Sequence, residues 1–177
     1  MRIFWNDRNL IAWKKPITYY LQLNTYHLQL SIMNPTYSSF TTEFKVRPDD
    51  IDMFNHVHNS IYFDYVLAAR YEQMETGYKM SMEEFLKQGF GWVVRTAHVE
   101  YKRPLGLGDK FTVTTTIESI NAKGCRVKFN IVNSKTGKLC CDGWFDYIMI
   151  ELESGKSALV SPEVIEKYSI WVLSSKL

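Results

Sequence analysis

The sequence predicts an α+β domain in which an antiparallel sheet curls around one long, apolar helix. Residues 60–69 contain a single charged side chain, Asp64, so a helix there is apolar nearly all round and must be covered by other structure. A short β-type run precedes this segment, and four runs of alternating or β-branched residues follow it. The inner face of the sheet and the helix can then bury each other.

The elements before the four-strand region have clear boundaries. The β-type run over residues 39–47 stops at Pro48, which has no N–H for a paired strand. The long helix follows, with Asn59 or Ser60 as its N-cap and Gly77 as its C-cap. A short helical turn is then predicted from the capping-box spacing of "SMEE" at residues 81–84.

The rest of the chain is predicted to form strands joined by short links. In residues 92–104 the alternation places Val93 and Val99 on one face and Val94 on the other. The three later strand-like runs cover residues 110–120, 126–132 and 141–152, with turns at "NAKGC" and "NSKTGK" that predict hairpins. A final helix begins at "SPEV", where a serine N-cap precedes a proline at the first helical position.

Composition excludes several classes of protein. Hydrophobic residues make up 46% and charged residues 23%, as in ordinary globular domains. The net charge is +2; residues 1–33 hold four basic and one acidic side chain, a charge of +3, so residues 34–177 carry −1 and no nucleic-acid partner is expected. No apolar run approaches the roughly 20 residues of a membrane span.

The three cysteines, Cys125, Cys140 and Cys141, are odd in number and form no C-x-x-C pair. This pattern supports neither a disulfide framework nor a zinc knuckle, and it favours a reducing cytoplasm. We therefore predict one cytoplasmic domain over residues 34–177. Residues 1–33 are interpreted as an N-terminal extension of uncertain order, with Met33 as an alternative start of the chain.

The stretch "DDIDMFNHVHN", residues 49–59, concentrates acids, histidines and asparagines before the helix. Asp50, Asp52, His56 and His58 together resemble a set of metal ligands, since carboxylate and imidazole suit zinc or iron. No second ligand cluster elsewhere in the sequence supports that hypothesis, so no metal is predicted. The plain structural alternative for Asp52 is a loop cap, a common role for aspartate.

Residues 44–70, "FKVRPDDIDMFNHVHNSIYFDYVLAAR", followed by residues 99–113, "VEYKRPLGLGDKFTV", resemble hot-dog-fold acyl-CoA thioesterases. The similarity is to the 4-hydroxybenzoyl-CoA thioesterase-like branch, which includes bacterial long-chain acyl-CoA thioesterases, and it covers about residues 40–168. The resemblance implies a five- to six-stranded antiparallel sheet wrapped around the central helix. It also implies homodimers or homotetramers with active sites at the subunit interface.

The same resemblance implies hydrolysis of acyl-CoA to coenzyme A and a carboxylic acid, without metal or cofactor. It assigns the catalytic carboxylate to Asp52, as nucleophile or as general base. The backbone N–H that polarises the thioester carbonyl is assigned to Asn59. The chemistry fits, because the first N–H groups of a helix lack intrahelical partners and its positive end favours an oxyanion.

Five further residues are candidates near this site. His56 is a general acid or base, or a hydrogen-bonded group that holds the loop against the helix. His58 can contact substrate, and it stands where many relatives have Asn. Tyr62 belongs to the core or to the pocket wall. Lys102 and Arg103 can meet the phosphates of coenzyme A, or form a solvated basic strand end.

Another departure from the family pattern is Asn55, which stands where many relatives have Gly. Asn still tolerates a left-handed backbone, so the turn is expected to persist. Two alternative functions stay open: hydrolysis of an acyl carrier protein thioester, and acyl-CoA binding without catalysis.

Overall fold

The computed structural model describes residues 17, 18, 21, 22, 25 and 36–170 of the 177-residue chain. The five described residues before position 36 are helical. The rest of the proposed extension over residues 1–33, including Met33, lies outside the described residues. Its order and its role therefore stay predictions.

The described region contains the strands and helices that the sequence predicts, together with two further short strands. The elements are β1 (Thr36–Tyr37), β2 (Ser39–Lys45), a 3₁₀ turn (Pro48–Asp50), α1 (Asn59–Thr76), α2 (Met82–Lys87), β3 (Phe90–Tyr101), β4 (Lys110–Asn121), β5 (Gly124–Asn133), β6 (Leu139–Glu151), α3 (Pro162–Tyr168) and β7 (Ser169–Ile170). The α+β class is confirmed. Among the described residues, no helix combines the length and apolar character needed to cross a bilayer.

Five strands form one antiparallel sheet in the order β2-β4-β5-β6-β3. The hairpins between β4 and β5 and between β5 and β6 occur at the two predicted turns. Strand β3 pairs only with β6 among the described strands, so its other side is a free edge. The short strands β1 and β7 form a separate two-stranded ribbon.

Helix α1 lies against β2 and β4 and supplies the centre of the core. Its buried side includes Tyr62, Val66 and Ala69. Gln73 is also buried, and its amide donates hydrogen bonds to Thr42 Oγ1 at 3.2 Å and to the Val113 carbonyl at 3.4 Å. These bonds satisfy the polar group inside the core and fix the helix on the two strands.

The expected coverage of α1 on all sides is only partial. Ile61, Phe63 and Leu67 are half-buried, whereas Asp64 and Tyr71 face solvent. An apolar helix side that is only half covered leaves room for a ligand or a second subunit.

The predicted helix ends are confirmed at three of four positions. Gly77 caps α1, and its N–H donates to the Gln73 carbonyl at 2.9 Å. The capping box of Ser81 and Glu84 opens α2, and Ser161 caps α3 ahead of its proline. The predicted N-cap of α1 was wrong: it is His58, whose ring accepts the hydrogen bond that a serine or asparagine oxygen would otherwise accept.

The predicted alternation in β3 was wrong in its first half because Arg95 forms a β-bulge. Val94 pairs with Tyr147 while Thr96 pairs with Asp146, so one extra residue separates the two halves of the strand. Val94 packs on the core together with Val99, whereas Val93, which the alternation placed on the same face as Val99, is 43% exposed.

Gly124, at the start of β5, is required by the close approach of the next strand. A Cβ atom at this position would lie 2.0 Å from the Tyr147 carbonyl oxygen, which is a backbone atom of β6. We predict that Gly124→Ala separates the strands locally and lowers the free energy of unfolding by about 1–3 kcal/mol. Urea denaturation measures this change. Gly106→Ala is the control, since its nearest atom would be 3.9 Å away. Equal midpoints for both variants would contradict the prediction.

Candidate active site

The loop before α1 is a closed turn held by its own backbone. Ile51 pairs with Val57 as an isolated antiparallel bridge, and the Asp52 N–H donates to the His56 carbonyl at 2.8 Å. Asn55 has φ of +61°, which confirms the left-handed conformation expected where relatives have Gly. The turn therefore places residue 52 and the helix start side by side.

The Asp52 carboxylate is oriented by the amides of this turn. Its Oδ1 accepts hydrogen bonds from the Phe54 N–H at 2.8 Å and the His56 N–H at 3.2 Å. Within residues 36–170 its other oxygen, Oδ2, has no hydrogen-bond partner. Asp52 thus caps the loop, as the structural alternative predicts, and it also lines the adjacent cavity.

Helix α1 begins beside this carboxylate. The His58 ring accepts a hydrogen bond from the Ser60 N–H at Nδ1, 3.2 Å away, and the same nitrogen lies 2.9 Å from Ser60 Oγ. Asn59 is the first helical residue, so its N–H has no carbonyl in a preceding turn to bond. No other residue of the described chain takes that N–H. The amide is available as an oxyanion donor.

One cavity of about 450 Å³ brings all seven predicted site residues together. They are Asp52, His56, His58, Asn59, Tyr62, Lys102 and Arg103. The cavity is bordered by the 52–56 loop, the start of α1 and the segment that follows β3. Residues about 45 positions apart in sequence thus meet in a single site.

Two tyrosines form the wall nearest the helix start. Tyr62 is buried, and its hydroxyl accepts a hydrogen bond from the Leu105 N–H at 3.0 Å. Burial raises the pKa of Tyr62 to about 12. Tyr101 was not predicted to be a site residue, although it is the last residue of β3 and lies within the second family motif. Its hydroxyl donates to the Asn59 carbonyl at 2.8 Å, and its ring meets Tyr62 edge-on at 5.4 Å.

Lys102 and Arg103, the two basic candidates, differ in whether acidic side chains already pair with their charge. Lys102 forms ion pairs with Glu100 and, at 3.5 Å, with Asp142. Arg103 donates to the Leu139 carbonyl at 3.0 Å, and no carboxylate of the described residues pairs with it. Arg103 is therefore the better placed of the two to attract a phosphate.

His56 holds the loop through its backbone, not through its ring. Its N–H and carbonyl both bond to Asp52, while the imidazole has no hydrogen-bond partner among residues 36–170. The ring is exposed and lines the cavity, so it can meet a ligand directly.

Asp50 is the buried anchor of the loop, with 1% of its surface exposed. Its carboxylate accepts from the Tyr65 hydroxyl at 2.5 Å and from the Arg47 N–H and guanidinium at 2.8 and 3.1 Å. Burial alone would raise the pKa of Asp50, but these hydrogen bonds and the charge of Arg47 outweigh it and hold the pKa below its usual value. The Asp50 carbonyl also accepts the His58 N–H at 2.9 Å, which ties the anchor to the helix start.

Because its carboxylate is held in these hydrogen bonds, Asp50 is separated from Asp52, His56 and His58, the other residues of the hypothetical metal site. Within the part of the chain that the structure describes, no three His, Cys, Asp or Glu side chains are grouped so that they could hold a metal ion.

Comparison with known proteins shows the family. Residues 46–168 match the family model described as the thioesterase-like superfamily. The chain belongs to this superfamily. The match covers helix α1, strands β3 to β6 and the candidate site, and it begins just after β2.

Three similar proteins illustrate the relationship. The long-chain acyl-CoA thioesterase FadM of Escherichia coli K12 is 26% identical over 126 residues, 71% of this chain and 94% of FadM. The crystal structure of the probable thioesterase YbaW from Escherichia coli aligns with a TM-score of 0.64 and 25% identity, over 72% of this chain and 94% of YbaW. The chloroplastic acyl-acyl carrier protein thioesterase ATL3 of Arabidopsis thaliana is 30% identical over 80 residues, 45% of this chain and 42% of ATL3. The predicted hot-dog fold and family are confirmed.

We predict that Asp50→Asn lowers the free energy of unfolding at neutral pH by about 1–3 kcal/mol, because a buried charge-assisted network loses its anion. The native pKa of Asp50 is depressed, so its stabilisation is present above the unfolded pKa of about 3.9 and is lost as pH falls through the native value. Urea denaturation from pH 7 to pH 3 should therefore show the difference between the two proteins shrinking. Asp49→Asn is the exposed control, with a side chain 73% exposed. A difference that does not depend on pH would contradict this account.

Proposed function

We propose that the protein is an acyl-CoA thioesterase that releases coenzyme A and a carboxylic acid. The observation that carries the proposal is that Asp52 and Asn59 border the same cavity, while Asp52 Oδ2 and the Asn59 N–H have no hydrogen-bond partner within residues 36–170. Membership of the thioesterase-like superfamily supports a hydrolase of thioesters. Similarity to FadM, which covers nearly that whole protein, supports an acyl-CoA substrate.

The arrangement supports two forms of the reaction. As general base, Asp52 takes a proton from water, the water oxygen bonds to the carbonyl carbon, and the C–S bond breaks to release the thiol with that proton. As nucleophile, the carboxylate bonds to the same carbon and expels the thiolate, and water then hydrolyses the mixed anhydride. In both forms the Asn59 N–H stabilises the negative oxygen of the tetrahedral intermediate.

The neighbouring residues take supporting roles in this proposal. The His56 ring, which has no hydrogen-bond partner within residues 36–170, belongs to a cavity-lining residue and can move a proton to or from the leaving group. His58 fixes the first turn of the helix, and Tyr62 closes the cavity wall. Arg103 attracts a phosphate of coenzyme A, with a smaller contribution from Lys102, whose charge is shared with two acids.

We predict that Asp52→Asn lowers kcat for acyl-CoA hydrolysis by at least about 100-fold with little change in KM. Asparagine keeps the oxygen that accepts the Phe54 and His56 N–H groups, so the loop is retained while the base is lost. Thiol release, measured with a colour reagent over a panel of short, long and aromatic acyl-CoAs, tests this. Asp49→Asn is the matched control in the same segment.

Near-normal turnover by Asp52→Asn would remove Asp52 from the mechanism. Tight acyl-CoA binding by the unaltered protein with no thiol release would favour the alternative of a non-catalytic binding protein. Both outcomes are distinguished by pairing the assay with a binding titration.

An acyl carrier protein thioester is a second candidate substrate, because a segment of the chain resembles ATL3. The similarity covers less than half of either protein, so it is weaker support than the similarity to FadM. Comparison of kcat/KM for the same acyl group on coenzyme A and on loaded carrier protein decides between them.

We also propose that the protein works as a homodimer or homotetramer in the cytoplasm. The free edge of β3 is twelve residues long and offers unpaired backbone groups to a second copy. The half-buried Phe63 and Leu67 on α1 offer apolar surface near that edge. The three free, buried cysteines are typical of a reducing compartment.

We therefore predict a solution mass of two or four chains by light scattering during size-exclusion chromatography. Dilution over a hundredfold range should not shift the mass, since an interface that completes a sheet is normally large and apolar. A single-chain mass at all concentrations would contradict the assembly without affecting the assignment of Asp52.

A further inference from the structure

A second cavity of about 450 Å³ lies further along α1, between that helix, β3 and α3. Its walls are mostly apolar and include Phe63, Leu67, Trp92 and Val94. It shares no residue with the cavity at Asp52. Its volume is within the range of about 300–1,000 Å³ typical of small-molecule sites.

Arg70 lies inside this apolar site with only 6% of its surface exposed. Its Nη1 lies 3.4 Å from Thr115 Oγ1, and its guanidinium is 5.1 Å from the centre of the Tyr78 ring. No Asp or Glu of the described residues forms an ion pair with it. A guanidinium stays charged when buried, and a buried charge without a counter-ion is unfavourable.

Three other polar groups on the cavity wall lack partners. The hydroxyls of Tyr147 and Tyr168 and the Trp92 Nε1 form no hydrogen bond within residues 36–170, although all three atoms are buried. Buried donors are rarely left unpaired in folded proteins. Burial raises the pKa of Tyr147 to about 12, and the charge of nearby Arg70 opposes that rise.

We propose that this cavity binds an aliphatic chain that ends in a carboxylate, and that Arg70 is the ion-pair partner of the carboxylate. The apolar walls suit the chain, and the unpaired hydroxyls and indole N–H can complete the shell around the anion. A guanidinium is well suited to this role because its planar donors match the two oxygens of a carboxylate.

The carboxylate can belong to either of two ligands. Asn59, Phe63, Leu67 and Arg70 are spaced by four, four and three residues, which places them along one side of α1. Eleven residues of helix span about 16 Å. A dicarboxylic acyl-CoA could therefore hold its thioester at Asn59 and its remote carboxylate at Arg70. A free fatty acid could instead bind in the second cavity alone.

The first test measures binding without turnover. Calorimetric titrations with dodecanoate and with dodecan-1-ol are compared for the unaltered protein, Arg70→Met and Arg126→Met. We expect dodecanoate to bind more tightly than the alcohol, and Arg70→Met to weaken dodecanoate binding by about 10- to 100-fold with little effect on the alcohol. Arg126, which is paired with Asp146 on the other face of the sheet, is the matched control.

Tyr168→Phe keeps the result interpretable if Arg70→Met folds poorly. It removes only an unpaired hydroxyl from a side chain that is 3% exposed. We expect a several-fold loss of dodecanoate affinity with an unchanged unfolding midpoint. Equal affinity for dodecanoate and dodecan-1-ol in the unaltered protein would overturn the inference, as would dodecanoate binding that neither variant weakens.

The second test identifies the source of the carboxylate and rests on the proposed function. It compares kcat/KM for dodecanoyl-CoA and for the mono-CoA thioester of dodecanedioic acid. A preference for the dicarboxylic substrate that Arg70→Met removes and Arg126→Met retains assigns the site to substrate. Dodecanoate binding that depends on Arg70, with no such preference, assigns it to a free acid. Absence of any hydrolysis would reject the thioesterase proposal and leave the titrations as an independent test.

Discussion

Asp50 lies where the end of β2, the 52–56 loop and the start of α1 meet, and its buried carboxylate connects the segment after β2 to α1. Arg47 reaches it from the strand side, Tyr65 from the helix, and its own carbonyl receives the N–H of His58. The position of the helix start relative to the loop depends on this one buried anion. A surface ion pair could not do the same, because solvent and side-chain entropy weaken such pairs. The depressed pKa of Asp50 reflects how strongly the fold favours the charged form.

Helix α1 links the two cavities because it borders both. Its first residue, Asn59, lines the cavity at Asp52, while Arg70, three turns later, lines the apolar cavity. Gln73 fixes the same helix to β2 and β4 through buried hydrogen bonds. Because α1 is a rigid element that borders both cavities, it fixes the distance between them along the helix.

Much of the fold was predictable from local patterns, since the helix ends at Gly77 and the strand hairpins carry their own turn residues. Asp52 and Asn59 also border one cavity as expected, because the loop turn leads directly into the helix start. Interactions between distant segments were not predictable. The partial neutralisation of Lys102 depends on Asp142 in another strand. The isolation of buried Arg70 depends on which side of α1 the sheet covers, and no periodicity specifies that.

The bulge at Arg95 divides β3 into two parts, and in each part a different alternation determines which side chains face the core. After the bulge, Val99 and Tyr101 share one alternation of side chains, and the Tyr101 hydroxyl contacts the helix start. Before the bulge, Trp92 and Val94 belong to the opposite alternation and line the apolar cavity. Deletion of that one extra residue would turn the side chains of the first part of the strand to the opposite face of the sheet and leave those of the second part in place. A single-codon deletion at the bulge would therefore change the wall of the apolar cavity without altering any residue proposed for chemistry.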